Sequence, residues 1–268
     1  MNKNLNVDYY RTIFGVDKTT FDEAEKIIMA EYERKHIHGG RKDGMTPRQR
    51  LEITLKYVRQ YMSQRYLALE YNTAKSCISP IIKWTIKTII SSNNFALLNR
   101  VLRINDDSEA RIIDATDSKI DRPEKKQNKY YSGKRKAHTL KAQIEIGEKT
   151  KLIYSVNFAT GSVHDFKLYK YSTPDFSSKV TNIVDKGYKG IESIHKNSLE
   201  PIKSSKNHKL TDVEKWYNIE ISKIRIAVEH VNSFLKKFKI LGTRFRCRRK
   251  NFKMFVMFIC EIYNFERA

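Results

Sequence analysis

The stretch Arg111-Ile112-Ile113-Asp114-Ala115-Thr116-Asp117 decides the fold. It is an apolar, β-branched run interrupted by an acid, and β-branched residues favour a pleated, half-buried surface. Three further β-type runs follow, at Ala142–Ile146, Leu152–Phe158 and Val180–Asp185. Gly147-Glu148-Lys149-Thr150 reads as the hairpin connection between the first two of these. In the run from Leu152, the residues Tyr154, Val156 and Phe158 alternate as in a half-buried strand. His164–Tyr171 can form a short helix, Thr211–Phe238 a long one, and the aromatic segment Phe252–Phe265 a last one. The segment after the polar boundary Asn105-Asp106-Asp107-Ser108 is therefore an α/β domain, spanning 106–268.

Upstream, over residues 1–105, Gly and Pro are scarce and helical periodicity dominates. Thr20 with Glu23 reads as a capping box opening a helix to about Arg34, ended by His38-Gly39-Gly40. Thr46-Pro47 opens the next, with Leu51, Leu55 and Val58 as its apolar stripe. Ser63 can cap a short helix carrying Tyr66, Leu67 and Leu69 that stops near Asn72. A further helix runs from about Ser76 to Ile90, with Ile78, Ile81, Ile82, Ile86 and Ile89/Ile90 on its buried side. Pro80 fits only a first turn, which would move that start to about Ser79. Residues 63–90 have the parts of a helix-turn-helix: small Ala68 at the helix contact, Asn72 for positive φ, Ile78 to close the pair. The second helix would present Lys75, Ser76, Ser79 and Lys83, and Trp84 beside them, to DNA. An ordinary helical hairpin has the same parts.

The 268 residues hold 52 Lys+Arg against 30 Asp+Glu, a formal charge of +22. Such a charge concentrates polyanions, of which nucleic acid is the first candidate. The 28 Tyr and Phe are unlike a disordered basic tail. No run approaches the ~20 apolar residues that span a bilayer, and the N-terminus lacks a secretory signal's apolar core. Cys77, Cys247 and Cys260 are odd in number and far apart, against a disulfide framework or a structural zinc site. The expectation is a cytoplasmic, nucleoid-associated protein with no membrane partner.

Three acids stand out by position. Asp114 interrupts the first strand, Asp185 ends Asn182-Ile183-Val184-Asp185, and Glu229 lies on the long helix. On that helix Ile221, Ile224, Val228, Val231, Leu235 and Phe238 form a buried stripe, and Arg225, Glu229, Asn232 and Lys236 a second one at the same steps. Hard Mg²⁺ prefers a few carboxylates and leaves room for phosphate. Aspartates on neighbouring strands can bridge two such ions, and a helix carboxylate can complete the site. Each acid also has a plain reading: Asp114 as a strand-end acid, Asp185 capping Lys186-Gly187-Tyr188, and Glu229 paired with Arg225 one turn away.

The motifs Asp114-Ala115-Thr116-Asp117, Arg122-Pro123, Tyr130–Lys141, Gly161–Phe166, Asp185-Lys186-Gly187-Tyr188 with Gly190, and Arg225–Asn232 occur in order. Together with Lys236, Phe238 and Tyr263-Asn264 they resemble the DDE transposases of bacterial insertion sequences, in the group related to the Harbinger nucleases. The resemblance runs from about Asp114 to the C-terminus, and the helix-turn-helix is similar to the family's usual N-terminal domain. It implies an RNase-H-like mixed sheet with the first and fourth strands side by side, preceded by an all-α domain. It maps the catalytic, metal-binding acids onto Asp114, Asp185 and Glu229, with two Mg²⁺ (or Mn²⁺) ions. Asp117, where the family often has Glu, and Asp165 remain as backup acids. Only 44 positions separate Asp185 from Glu229, so any insert before the acidic helix is small.

The implied reaction is cleavage of double-stranded DNA at terminal inverted repeats and transfer of the 3′-hydroxyl into target DNA, within a homodimer. Alternatives are a DDE nuclease without strand transfer and an inactive, DNA-binding repressor. Arg122 to Lys141 holds eight Lys/Arg against one Glu, and Leu235 to Lys250 holds eight with no acid. Arg122, Lys134, Arg135, Lys136, His138 and Lys141 are the candidate phosphate contacts of the first cluster. Arg225 and Lys236 are candidates for the scissile phosphate.

Overall fold

The structure, a computed structural model, describes residues 9–40, 44–92, 95, 109–172, 179–205 and 208–267. The expected boundary at 105–108 lies outside them. The chain divides into two compact units: Met1–Ala96 with Leu235–Thr243 and Lys250–Ala268, and Leu97–Phe234 with Arg244–Arg249. A division at 105 thus places too much in the second unit, since two C-terminal segments join the helical one. The reason is apolarity. The last helix buries ten of its fourteen residues, and a helix apolar on several sides must be enclosed by others.

The helical unit contains α1 (Lys18–His36), α2 (Pro47–Gln60), α3 (Gln64–Glu70), α4 (Lys75–Ile90) and the C-terminal helix Phe252–Phe265. Helix α1 starts three residues earlier than Thr20 implies. The Asp17 carboxylate accepts from Thr20 N at 2.7 Å and meets one of the donors a helix start leaves unpaired, while Glu23 pairs with Lys26. Helix α2 has the expected Thr46 cap, closed into a capping box with Gln49. Ser63 caps α3, but Tyr66 and Leu69 are exposed and Leu67 and Ala68 hold the buried side. Asn72 takes φ 47°, the left-handed conformation.

Helix α4 begins at Lys75 and carries Pro80 in its interior, not in its first turn. Proline costs the bond to the Ser76 carbonyl. Burying Ile78, Ile81, Ile82, Ile86 and Ile89 on one face offsets that loss. The C-terminal helix supplies Phe255, whose ring is tilted against Tyr57 with centroids 6.1 Å apart, and Phe258 and Ile262, which face Val16, Ala24, Leu55 and Ile89.

The second unit is built on a mixed sheet. Its strands are β1 (Arg111–Lys119), β2 (Tyr131–Ser132), β3 (Ala137–Gly147), β4 (Ile153–Thr160), β5 (Asn182–Ile183) and β6 (Ser198–Leu199). The order is β2-β3-β1-β5-β6, with β4 also paired to β3. Strands β1, β3 and β4 are antiparallel neighbours. Strands β5 and β6 run parallel to β1 and to each other. This sheet fits an RNase-H-like domain. Strand β5 is shorter than the expected Val180–Asp185, because Asp185 leaves the ladder to cap the 3₁₀ turn Lys186–Tyr188.

Alternation along β1 sends successive side chains to opposite faces. Ile113 packs with Phe166 and Tyr169 of α5 (Asp165–Tyr171) and with Val184, Tyr188 and Ile191. Asp114 points to the other face, where it meets α6 (Asp212–Lys237) through Arg225 and Asn232. Of the stripe the sequence predicts, Ile221, Val228, Val231 and Leu235 on α6 and Phe238 just after it are buried, and Ile224 is half-buried. Val213, Trp216, Ile219 and Ile226 of the same helix stay exposed.

Candidate active site

The two aspartates follow the paired residues of β1 and β5. In the parallel pair β1·β5, Arg111 is opposite Asn182 and Ile112 opposite Ile183. That last pair stands two residues before Asp114 on one strand and two before Asp185 on the other, and Asp185 lies just beyond the ladder as the cap of the following turn. Burial raises the Asp114 pKa to about 6; Arg225 lowers it, and Asp185 and Asp165 push it up again. Asp185 and Asp165 thus both act on the charge of Asp114.

Asp114 has a neighbour at each oxygen. The Asn232 amide donates to Oδ2 at 2.9 Å, and the Arg225 guanidinium lies 3.6 Å from Oδ1. Arg225 therefore pairs with Asp114 and not with Glu229. Asp185 accepts from Gly187 N at 2.7 Å through Oδ1, which is the capping role one reading of the sequence gave it. A Cβ at position 187 would come within 2.8 Å of that oxygen, so a side chain there would push the capping carboxylate aside. Glu229 is exposed on α6 and makes no ion pair among the described residues. It occupies the stripe between Arg225 and Asn232, four residues after one and three before the other. Among the described residues, no three acids, histidines or cysteines already converge as a metal group.

The backup acids separate from each other. Asp117, three residues after Asp114, faces the opposite side of β1. Its carboxylate accepts from Thr139 Oγ1 at 2.9 Å and lies 3.6 Å from Arg135. Asp165 is the first residue of α5, whose N-cap is His164. It takes the Lys141 ammonium at 2.5 Å. Its Oδ2 lies 3.4 Å from the same Cβ position at Gly187 that Asp185 approaches, so it borders the pair.

Lys141 is buried, with its ammonium on Asp165 and on the Val163 carbonyl. Its charge is turned inward, unlike those of Lys134, Arg135 and Lys136, which are exposed in the loop before β3. His138 is half-buried, with its ring against Tyr131. Arg122 is exposed and bonded to Gln127. In the helical unit Lys75 and Ser76 are exposed, and Ser79 and Lys83 half-buried. Trp84 lies under Lys35 and Arg50, 4.8 and 5.1 Å from their charged ends. Lys236 is exposed in the last turn of α6, which belongs to the helical unit.

A transposase DDE domain model matches residues 105–265. The chain belongs to the DDE transposase family. A probable transposase of the insertion sequence element IS702 from Microchaete diplosiphon is 35% identical over 268 residues, covering 99% of this chain and 97% of that protein. This chain is thus similar over its whole length to an insertion-sequence transposase. No solved structure matches.

Two features of this transposase escaped sequence reasoning. Asn232 was visible on the acidic stripe, but nothing in its spacing pointed to Asp114. Arg111 is fully buried, 3.3 Å from Glu109 and 3.6 Å from Glu145, with its guanidinium 3.6 Å over the Tyr154 ring. An arginine opening a strand carries no such signal.

Proposed function

We propose that this transposase cuts double-stranded DNA at the ends of its element and joins the released 3′-hydroxyl to target DNA, with Asp114, Asp185 and Glu229 as the acids of the reaction. The observation that supports this reading is that Asp114 meets the stripe of α6 that bears Glu229, through Arg225 and Asn232, while Asp114 and Asp185 each follow the paired residues of β1 and β5 by two. The donor set fits a hard divalent cation such as Mg²⁺ or Mn²⁺, which takes carboxylate and carbonyl oxygens. Burial already raises Asp114, which favours its neutral form, and a cation beside it would favour the carboxylate. Asp114 and Asp185 would hold one or two ions from the strand side, and Glu229 would join from the helix. Such ions lower the pKa of an attacking water and offset charge on the leaving oxygen.

Around that centre, Arg225 is placed to meet the scissile phosphate, since a guanidinium matches phosphate oxygens in bidentate fashion. Lys134, Arg135 and Lys136 offer an exposed basic loop on the same unit for the DNA backbone. In the helical unit α3 and α4 serve as a helix-turn-helix, with Lys75 and Ser76 exposed at the start of the second helix. Ala68 and Ile78 are buried and Asn72 is left-handed, which supports this reading.

The test uses a labelled duplex carrying the element's terminal inverted repeat, with Mg²⁺ and a target plasmid. Asp114→Asn, Asp185→Asn and Glu229→Gln should each lower cleavage by about 10³-fold, the equivalent of roughly 4 kcal/mol, while end binding persists. Normal cleavage by any of them removes that residue from the set. Cleavage without joined product would leave a nuclease, and binding without cleavage a repressor.

A further inference from the structure

We propose that Asn232 is the positioning residue of Asp114, fixing which carboxylate oxygen is presented to a bound cation; this rests on the reading of Asp114 as a cation ligand. The two side chains that reach Asp114 do so differently. Asn232 Nδ2 donates to Oδ2 at 2.9 Å, a full hydrogen bond. Arg225 stands 3.6 Å from Oδ1, beyond hydrogen-bond range. The amide therefore holds one oxygen, and the guanidinium only neighbours the other. Oδ1 is the oxygen that an incoming cation can take without breaking the stronger contact.

The position of Asn232 argues for a specific role. It is 9% exposed and lies beside Val228, Val231 and Leu235, which fill the buried stripe of the same helix. An aliphatic side chain would satisfy packing there. The chain instead places an amide whose Oδ1 is buried without a hydrogen-bond partner, an arrangement that disfavours folding. Arg225 Nε is a second orphaned polar atom on the same stripe. Two unsatisfied groups on either side of Glu229, both on residues reaching Asp114, mark a place shaped for something beyond the folded chain. A carboxylate rotates broadly about its last torsion. Hydrogen bonds behind metal ligands restrain that rotation, and their loss typically weakens metal binding 10- to 100-fold.

The experiment measures Mn²⁺ bound by the full-length chain in complex with an end duplex, using the electron paramagnetic resonance signal of free Mn²⁺. Half-saturating Mn²⁺ for cleavage is read in parallel. Asn232→Ala should weaken Mn²⁺ about tenfold and raise half-saturating Mn²⁺ similarly, with duplex affinity and metal-free melting temperature unchanged. Asn232→His retains a ring N–H at the position of the amide and should recover most of the affinity. Asp114→Ala should lose the site. If Asp114→Ala binds Mn²⁺ like the unsubstituted chain, or the unsubstituted chain binds none, the reading of Asp114 as a ligand fails and the positioning role goes with it. If Asp114→Ala loses Mn²⁺ but Asn232→Ala binds as tightly as the unsubstituted chain, only the positioning role is overturned. Equal loss in Asn232→Ala and Asn232→His, with both folded and binding the duplex, also overturns it.

Discussion

At the residue scale, the chemistry depends on where a carboxyl is buried and what stands beside it. Asp114, Asp117 and Asp165 are indistinguishable as letters. Strand parity sends Asp117 to the face away from Asp114, where Thr139 and Arg135 occupy it. Asp117→Asn should therefore leave cleavage within about twofold, whereas a true ligand loses far more; a duplex-cleavage assay decides. Glu261 is a different case. It is buried in the C-terminal helix with Oε2 unpartnered, and burial raises its pKa from 4.5 to about 9. Its folded value lies above its unfolded one, so the folded state holds the proton more tightly. The associated stability is fully present below pH ~4.5 and is lost as pH rises toward 9. At pH 7 the loss is roughly 3 kcal/mol by linkage. Glu261→Gln should raise the melting temperature at pH 8 and change it little at pH 4.5. An equal shift at both pH values would contradict the buried-acid account.

At the element scale, the sequence was most legible where periodicity and caps agree. The stripe Ile221, Val228, Val231, Leu235 is buried as the sequence predicts, and Phe252–Phe265 is a helix over its whole expected length. Thr46 with Pro47 marks a real helix start. Thr46→Ala removes the bond from Gln49 N to Thr46 Oγ1 and should cost about 1 kcal/mol in denaturant unfolding. Legibility failed where one side chain overrides a local rule. Asp17 takes the cap that Thr20 implied, and Pro80 stays inside α4 because the isoleucine face is buried. Val180–Asp185 shrinks to two paired residues because Asp185 caps a turn. Long-range partners were invisible for the same reason: the Arg111 ion group joins residues 109, 111 and 145 through strand pairing. Arg111→Met would leave both carboxylates buried beside an apolar side chain. It should destabilise by about 3–5 kcal/mol, the usual cost of removing one member of a buried pair.

At the scale of the whole molecule, the charge of +22 first indicated nucleic acid, and the structure sorts the cations by use. Lys141 faces Asp165, Arg225 faces Asp114, Arg135 reaches Asp117 from an exposed position, and Lys134 and Lys136 face solvent. Replacing Lys134, Arg135 and Lys136 with Gln should lower the slope of log affinity against log salt by roughly 2 to 3 for end DNA. An unchanged slope would remove that loop from the DNA path. The acids beside these cations make the more specific claim, and exchanging a hard ligand for a soft one tests it most directly. In Asp185→Cys the thiolate disfavours Mg²⁺ and tolerates the softer Mn²⁺. Cleavage of the end duplex by this variant should be absent in Mg²⁺ and partly restored in Mn²⁺. Equal activity in the two ions, at the level of the unsubstituted chain, would contradict a metal-binding role for Asp185.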